Sequence, residues 1–331
     1  MKVAMVTPWK VRCGIATYSE ALVHELSKLG AEVYIVRLHR LGEKTAEYFE
    51  TLASRRIPKV DLIHVQHEYG LYRGGEPHFY GALPFSGPTP VVTTMHGVGI
   101  PQPDQMVFEN SDEVIVHNDW CKRAFGHDCR VIPHGVQLGT PVEKEEAKRS
   151  LGLEGPVVTV FGFIGPYKGV ETAIRTIGLD FPGVNLLMAG GWHVERETNY
   201  IAQMKQLANS VAPGRVHWTG WVPPEKLPTI FGATDVVLYC NKAATESGAL
   251  LTALGYGKCT LAHSLPPIKE KEKKGALMTY DTEGQLIMHL EQLLEDTGLR
   301  AKYEEGARRY AEENSWDKVA QLHIDLYGEL T

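Results

Sequence analysis

Glu246-Ser247-Gly248 lies between an apolar run, Asp235–Tyr239, and a helix-patterned segment, Ala249–Tyr256, that Gly257 closes. Small polar residues fill the turn Asn241–Gly248, and a second apolar run restarts at Cys259. The spacing predicts strand, loop, helix, strand. The first turn of a helix carries N–H groups without intrahelical partners and a partial positive charge, which together suit a phosphate. Taken alone, the pattern equally describes an ordinary N-cap by Thr245 or Ser247. A second loop, F-G-F-I-G-P-Y-K-G from Phe161 to Gly169, follows the strand pattern Val157–Phe161 and sets Lys168 just before a helix. A cation at a helix start opposes the dipole, so its position favours service to a diphosphate as a point charge. Lys168 and the Glu246–Gly248 turn both follow strands of one series, so they are expected to converge on one anion.

Other polar residues stand at strand ends. The first turn, P-W-K-V-R-C-G-I-A-T from Pro8 to Thr17, joins the first strand to the first helix. Gly14 there either lets backbone approach a ligand or serves a tight turn. His96 ends the strand Val91–Met95, and His67 and Glu68 end another. Ligands of open α/β sheets bind at such carboxyl ends; a histidine there also serves to satisfy a carbonyl. His134-Gly135 is read as shaping a hinge. His64 and His67, three apart on a strand, face opposite sides, so a metal pair is not expected. Neither G-x-G-x-x-G nor G-x-x-x-x-G-K-[ST] occurs, which disfavours dehydrogenase and P-loop chemistry.

These residues need a scaffold that presents strand ends. Strand patterns at Val3–Thr7, Val33–Arg37, Leu62–Gln66, Val91–Met95, Glu113–His117 and Arg130–Pro133 alternate with helical ones such as Ile15–Leu29. A second series runs through Val157–Phe161, Asn185–Ala189, Val216–Thr219, Val236–Tyr239 and Thr260–Ala262. Alternation of this kind predicts parallel sheets covered on both faces, in two doubly wound domains. The boundary is expected between Gly135 and Gly155, where Gly139-Thr140-Pro141 precedes a charged helix, Glu143–Leu151. The run Lys269–Lys274 mixes both signs and is read as a solvated surface loop. A final amphipathic helix spans Asp317–Leu330.

The 331 residues are 43% hydrophobic, enough for two cores. Net charge is −6, divided as 14 basic against 15 acidic residues up to position 140 and 20 against 25 beyond it. No basic footprint points to nucleic acid. Five cysteines without a C-x-x-C pair fit a reducing cytoplasm better than a disulfide framework or zinc site, and the 14 histidines are scattered. The chain opens on a strand pattern without a leader, and no apolar run reaches the roughly 18 residues of a spanning helix.

Together the motifs resemble the retaining nucleotide-sugar glycosyltransferases of family 4, with GT-B architecture. The markers are Gly14, H-V-Q-H-E-Y-G at His64–Gly70, T-M-H-G at His96, V-I-P-H-G-V at Val131–Val136, the Phe161–Gly169 loop, G-W-V at Gly220–Val222, E-S-G-A-L-L from Glu246 and S-W-D at Ser315. The resemblance covers nearly the whole chain. It implies two Rossmann-like domains facing a central cleft: an acceptor domain, 1–140, a donor domain, 141–314, and a last helix, 315–331, crossing back. Lys168, with the amides of Ser247 and Gly248, would hold the donor diphosphate. Gly14 would approach the distal phosphate, and Gly162 and Val222 would border the donor. His96 would face the transferred sugar or the leaving phosphate, and His67 and Glu68 the acceptor side. The donor would be a nucleotide sugar, and the acceptor a carbohydrate, a lipid-linked molecule or a small metabolite. No cofactor and no metal are implied, and peripheral association with the inner membrane surface is compatible with the family.

The chain departs from the family at two places. Most members carry Glu-x7-Glu around this helix, whereas alignment on Gly257-Lys258 puts Ala244 and Thr252 there. Thr252 would make a weaker, neutral bond to the donor ribose, and Glu246, displaced by two, is the expected substitute for contact with sugar hydroxyls and a catalytic candidate beside His96 and Lys168. Many members also carry an arginine where Phe163 and Gly165 stand, so Lys168 is the only cation of its loop. A non-catalytic nucleotide- or carbohydrate-binding protein on the same fold is the first rival, and a nucleotide-sugar epimerase the second.

Overall fold

A computed structural model describes residues 1–39, 44–83, 89–191 and 198–331. Among them the chain divides into two compact units, residues 1–135 with 314–331, and residues 136–313.

The first unit begins β1 (Lys2–Thr7), α1 (Gly14–Lys28), β2 (Glu32–Arg37), α2 (Ala46–Arg55) and β3 (Leu62–His67). It continues with α3 (Tyr69–Tyr72), α4 (Glu76–Ala82), β4 (Val91–Met95), α5 (Pro101–Glu109), β5 (Glu113–Val116), α6 (Asp119–Phe125) and β6 (Arg130–Val131). The sheet order is β2-β1-β3-β4-β5-β6, all parallel. The period of two along β1 shows directly in its packing: Ala4 and Val6 enter one core, with Phe49 and Phe79, and Val3 and Met5 enter the other, with Leu22 and Leu26. That second core is closed by α15 (Trp316–Leu330), whose Trp316, Val319, Leu326 and Tyr327 are buried in it. Gly135 fits under this helix because it has no side chain: a Cβ there would lie 2.2 Å from the Trp316 ring.

The second unit runs α7 (Lys144–Leu151), β7 (Val157–Phe161), a 3-10 turn at Pro166–Lys168, α8 (Val170–Asp180), β8 (Asn185–Ala189), α9 (Thr198–Val211) and β9 (Val216–Gly220). After a 3-10 turn at Pro224–Lys226 come α10 (Leu227–Ala233), β10 (Val236–Tyr239), α11 (Gly248–Gly255), β11 (Thr260–His263) and α12 (Pro266–Lys273). The unit ends with β12 (Met278–Tyr280), α13 (Glu283–Glu295) and α14 (Thr297–Glu313). Its sheet is also parallel, in the order β12-β11-β10-β7-β8-β9. Asp235 locks the start of β10: its carboxylate accepts from Lys144 Nζ at 2.7 Å, Lys148 Nζ at 3.0 Å and the Val157 amide at 2.8 Å, tying α7 to two neighbouring strands. The two lysines and the amide outweigh the burial that opposes its charge, and the carboxyl titrates below its ordinary range.

One charged segment differs from its sequence reading. Lys269–Lys274 is not a solvated loop: α12 runs through it, started by Pro266-Pro267, and Lys271 points inward with 2% of its surface exposed. Three-dimensional pairing with a buried carboxylate, invisible along the chain, makes this burial tolerable.

Candidate functional site

Each sheet reverses its strand order once, which is where ligands of open α/β sheets bind. In the second unit the reversal falls between β7 and β10, which pair at Val236 with Val158. The two loops singled out in the sequence leave these strands. The first is held from both sides. Gly162 has φ +107° and donates its amide to Ala189 O, the Ile164 amide goes to Gly191 O, and Gly169 has φ +62°. A Cβ at Gly169 would lie 2.2 Å from Cys240 O, and one at Gly190 would lie 1.8 Å from Gly162 O. Glycine is required by this crowding, and the crowding fixes where Lys168 stands.

Lys168 is 6% exposed, and its ammonium has no hydrogen-bond or ion-pair partner among the described residues. Its Nζ sits 5.4 Å from the Tyr167 ring centre and 5.6 Å from that of Tyr239. Ring faces compensate only part of the lost hydration of an ammonium. Burial alone therefore brings its pKa down to about 8. A Cβ on Gly162 would lie 3.5 Å from this Nζ and 2.8 Å from Ala249 Cβ, so the ammonium, Gly162 and the first turn of α11 meet at one place.

At that turn Ser247 is the N-cap, its Oγ accepting from the Leu250 amide. The amides of Gly248 and Ala249 have no acceptor within the helix. Glu246 turns away from this opening. Its Oε1 accepts the Ser247 amide at 2.9 Å, which corrects the expectation that this amide holds the diphosphate, and its Oε2 accepts from Lys271 Nζ at 2.8 Å. The expected contact of Glu246 with sugar hydroxyls is thus replaced, as the side chain stands, by an internal one, because the buried Lys271 demands a counter-charge. Thr252 donates its hydroxyl to Gly248 O at 2.8 Å, which leaves Oγ1 only as an acceptor. Val222 is half-buried on the cluster of Val157, Ala189 and Ile230 that Phe161 also joins. Beside it Trp221 is exposed.

In the first unit the reversal falls between β1 and β3. Gly14 opens α1 there; a Cβ would meet nothing within 4 Å, so nothing inside the unit demands glycine at this position. Glu68 is half-buried at the cap of α3. His67 is a correction: it has no exposed surface, stacks on Tyr72 at 4.7 Å and lies 3.3 Å from Glu76 Oε1, so it supports the edge from inside and does not line it. On the neighbouring strand, His96 Nε2 lies 2.8 Å from Gln66 Oε1 and Nδ1 lies 3.5 Å from His117 Nε2. Burial first, then the neighbouring His117 and His134, hold its pKa well below the ordinary value, so the ring is neutral near pH 7. An amide oxygen can only accept, so Nε2 carries the ring proton. The histidines are not all scattered: His96, His117 and His134 follow β4, β5 and β6 in turn and surround the Tyr18 ring at 4.8, 5.3 and 4.9 Å. The sequence signal for this cluster was a histidine after each of three successive strands.

The chain matches the family model "Glycosyl transferases group 1" over residues 142–310. It is 28% identical over 225 residues to a D-inositol 3-phosphate glycosyltransferase of Salinispora arenicola, a match that covers 60% of this chain and 49% of that protein. It is 25% identical to an uncharacterized glycosyltransferase of Methanocaldococcus jannaschii over 84% of this chain and 70% of the relative. The chain thus spans about half the length of the first of these relatives. Its fold is that of sucrose-phosphate synthase from Thermosynechococcus elongatus (TM-score 0.84, 17% identity, 100% of this chain and 99% of the other). It is also that of Anabaena HepE, solved in complex with UDP and glucose (TM-score 0.79, 17% identity, all of both chains).

Proposed function

We propose, from the premise that this chain belongs to the glycosyl transferases of group 1, that it moves a sugar from a nucleoside-diphosphate sugar to an acceptor hydroxyl with retention of anomeric configuration. The buried ammonium of Lys168, which has no hydrogen-bond or ion-pair partner among the described residues, carries this reading beside the open first turn of α11. A positive charge desolvated at a helix N-terminus has no structural use and a clear chemical one. It and the Gly248 and Ala249 amides receive the diphosphate as negative charge develops on it. The bond from the anomeric carbon to the leaving phosphate oxygen breaks, the acceptor oxygen bonds to that carbon on the same face, and the acceptor proton ends on the departing phosphate. The donor nucleotide is taken to be uridine diphosphate, as in the HepE complexes with UDP and UDP-glucose. Trp221 and Val222 are assigned to the base side, and His96 to the transferred sugar. The acceptor is a carbohydrate, a lipid-linked molecule or a small polyol, the last supported by the inositol phosphate in the relatives' names.

The scheme uses no metal and no cofactor. We place the protein in the cytoplasm, peripheral to the inner membrane surface where its acceptor is lipid-linked. Free thiols at all five cysteines suit a reducing compartment, and no helix among the described residues is long and apolar enough to cross a membrane. A second reading, nucleotide binding without transfer, is favoured by the Thr252 hydroxyl bonding to its own helix and by Ala244 standing where the family resemblance leads to the expectation of a carboxylate. The deciding experiment is product analysis with UDP-sugars and candidate acceptors in excess chelator, the new linkage read by NMR. A retained linkage is expected. An inverted one, or activity that magnesium restores after chelation, overturns the scheme, and tight nucleotide binding without product establishes the second reading.

A further inference from the structure

Lys271 is the most deeply buried charged side chain among the described residues of the second unit, and the proposed chemistry does not use it. Its Nζ lies 2.8 Å from Glu246 Oε2, and 5.9 Å from the Tyr310 ring centre. The Glu246 side chain is 6% exposed, and its other oxygen takes the Ser247 amide at 2.9 Å. Ser247 in turn caps α11 through Leu250. A chain of contacts thus runs from α12 through one carboxylate into the turn beside Lys168. A carboxylate immediately before anion-binding amides would repel the anion they are meant to receive, and burial weakens the screening of that repulsion. Lys271 supplies the opposite charge at hydrogen-bonding distance. Without it, Glu246 loses this counter-charge and either stays ionised in its buried place or draws a proton and holds the Ser247 amide less firmly.

We propose that Lys271 is a positioning residue of the donor site: it cancels the charge of Glu246 and, through it, fixes the amides that receive the diphosphate. The proposal rests on the reading of this turn as the diphosphate site. The contrast with charge alone is what separates it from a packing role, since a nucleoside lacks the phosphates but shares the base and ribose.

The test compares wild type, Lys271→Met, Glu246→Gln and the double variant Lys271→Met/Glu246→Gln. Affinities for uridine diphosphate and uridine are measured by calorimetry, and amide exchange at Ser247 without ligand by NMR or mass spectrometry. Lys271→Met is expected to lose about tenfold or more in diphosphate affinity, to keep uridine affinity within about threefold and to exchange the Ser247 amide faster. The double variant, with a neutral pair, is expected to regain diphosphate affinity to within about threefold of wild type. A folded Lys271→Met with unchanged diphosphate affinity, or a folded double variant without recovery, overturns the proposal. Should the single variant not fold, the double variant decides by the same threshold. Should wild type bind no nucleoside diphosphate, the donor reading falls by itself, and an unchanged Ser247 exchange rate in Lys271→Met refutes the positioning role separately.

Discussion

Replacing Lys168 by methionine should make the ligand-free protein more stable while removing its affinity for a nucleoside diphosphate. The ammonium is 6% exposed and its pKa falls from 10.5 to about 8 through burial alone. At about 1.4 kcal/mol per pH unit, that displacement corresponds to about 3 kcal/mol against the folded state. The folded pKa lies below the unfolded one, so the unfolded chain holds the proton more tightly. The penalty is therefore complete below pH 8 and disappears as pH rises towards 10.5. Methionine has similar length and no charge to desolvate. Denaturation of the second unit should show Lys168→Met about 3 kcal/mol more stable than wild type at pH 7, and nearly equal to it at pH 10.5. With a urea slope of about 2–3 kcal/mol/M, the midpoint moves up by about 1 M or more. Uridine diphosphate at a hundred times its Kd should raise wild-type stability by about 2.7 kcal/mol and leave the variant unmoved. A variant less stable than wild type at pH 7 would show that protein groups already satisfy the ammonium, and the argument for a waiting anion site would fail.

Three further outcomes follow from the same geometry. Uridine diphosphate affinity should fall about tenfold per pH unit above pH 8, because the free site loses the Lys168 proton that the bound anion retains; a flat profile between pH 8 and 10 in calorimetry counts against it. Gly162→Ala, at φ +107° and with its new methyl 2.8 Å from Ala249 Cβ, should cost about 1–3 kcal/mol of stability and most of the nucleotide affinity, whereas Gly14→Ala, with open space around it, should leave the melting temperature within a few degrees and still lower transfer. His96→Ala should cut transfer at least about tenfold, roughly 1.4 kcal/mol in the barrier, with a stability loss of about 1–3 kcal/mol from the Gln66 amide oxygen it strands; full activity per folded molecule would make the histidine structural.

The long elements were legible because their periodicity is local. The charged helix after Gly139-Thr140-Pro141 and the final helix lie within one residue of their expected bounds. The three-residue β12 carries too little pattern to be read, and α12 was obscured because alternating charge suggests solvent on all sides. At the site, Lys168 and the Ser247 turn were legible, since glycines and a cation at strand ends follow from backbone needs. The inward turn of Glu246 was not, because it depends on a lysine 25 residues away. Gln66, His117 and Tyr18 were missed as partners of His96 for the same reason: adjacency across parallel strands appears only once strand order is fixed.

The return of α15 to the first unit also sets an order of biosynthesis. Residues 1–135 can align their strands early, but one of their two cores lacks Trp316, Val319, Leu326 and Tyr327 until the ribosome has delivered the chain beyond position 327. The second unit, contiguous from 136 to 313, is complete before that. It should therefore fold first although it is made second, while the part of that core that α15 closes, at β3 where His64 bonds Tyr327, stays exposed for the time needed to synthesise it. At about 5–20 residues per second, the roughly 190 residues from 136 to 327 take about 10–40 s, an interval in which a nascent-chain chaperone has that apolar face to hold.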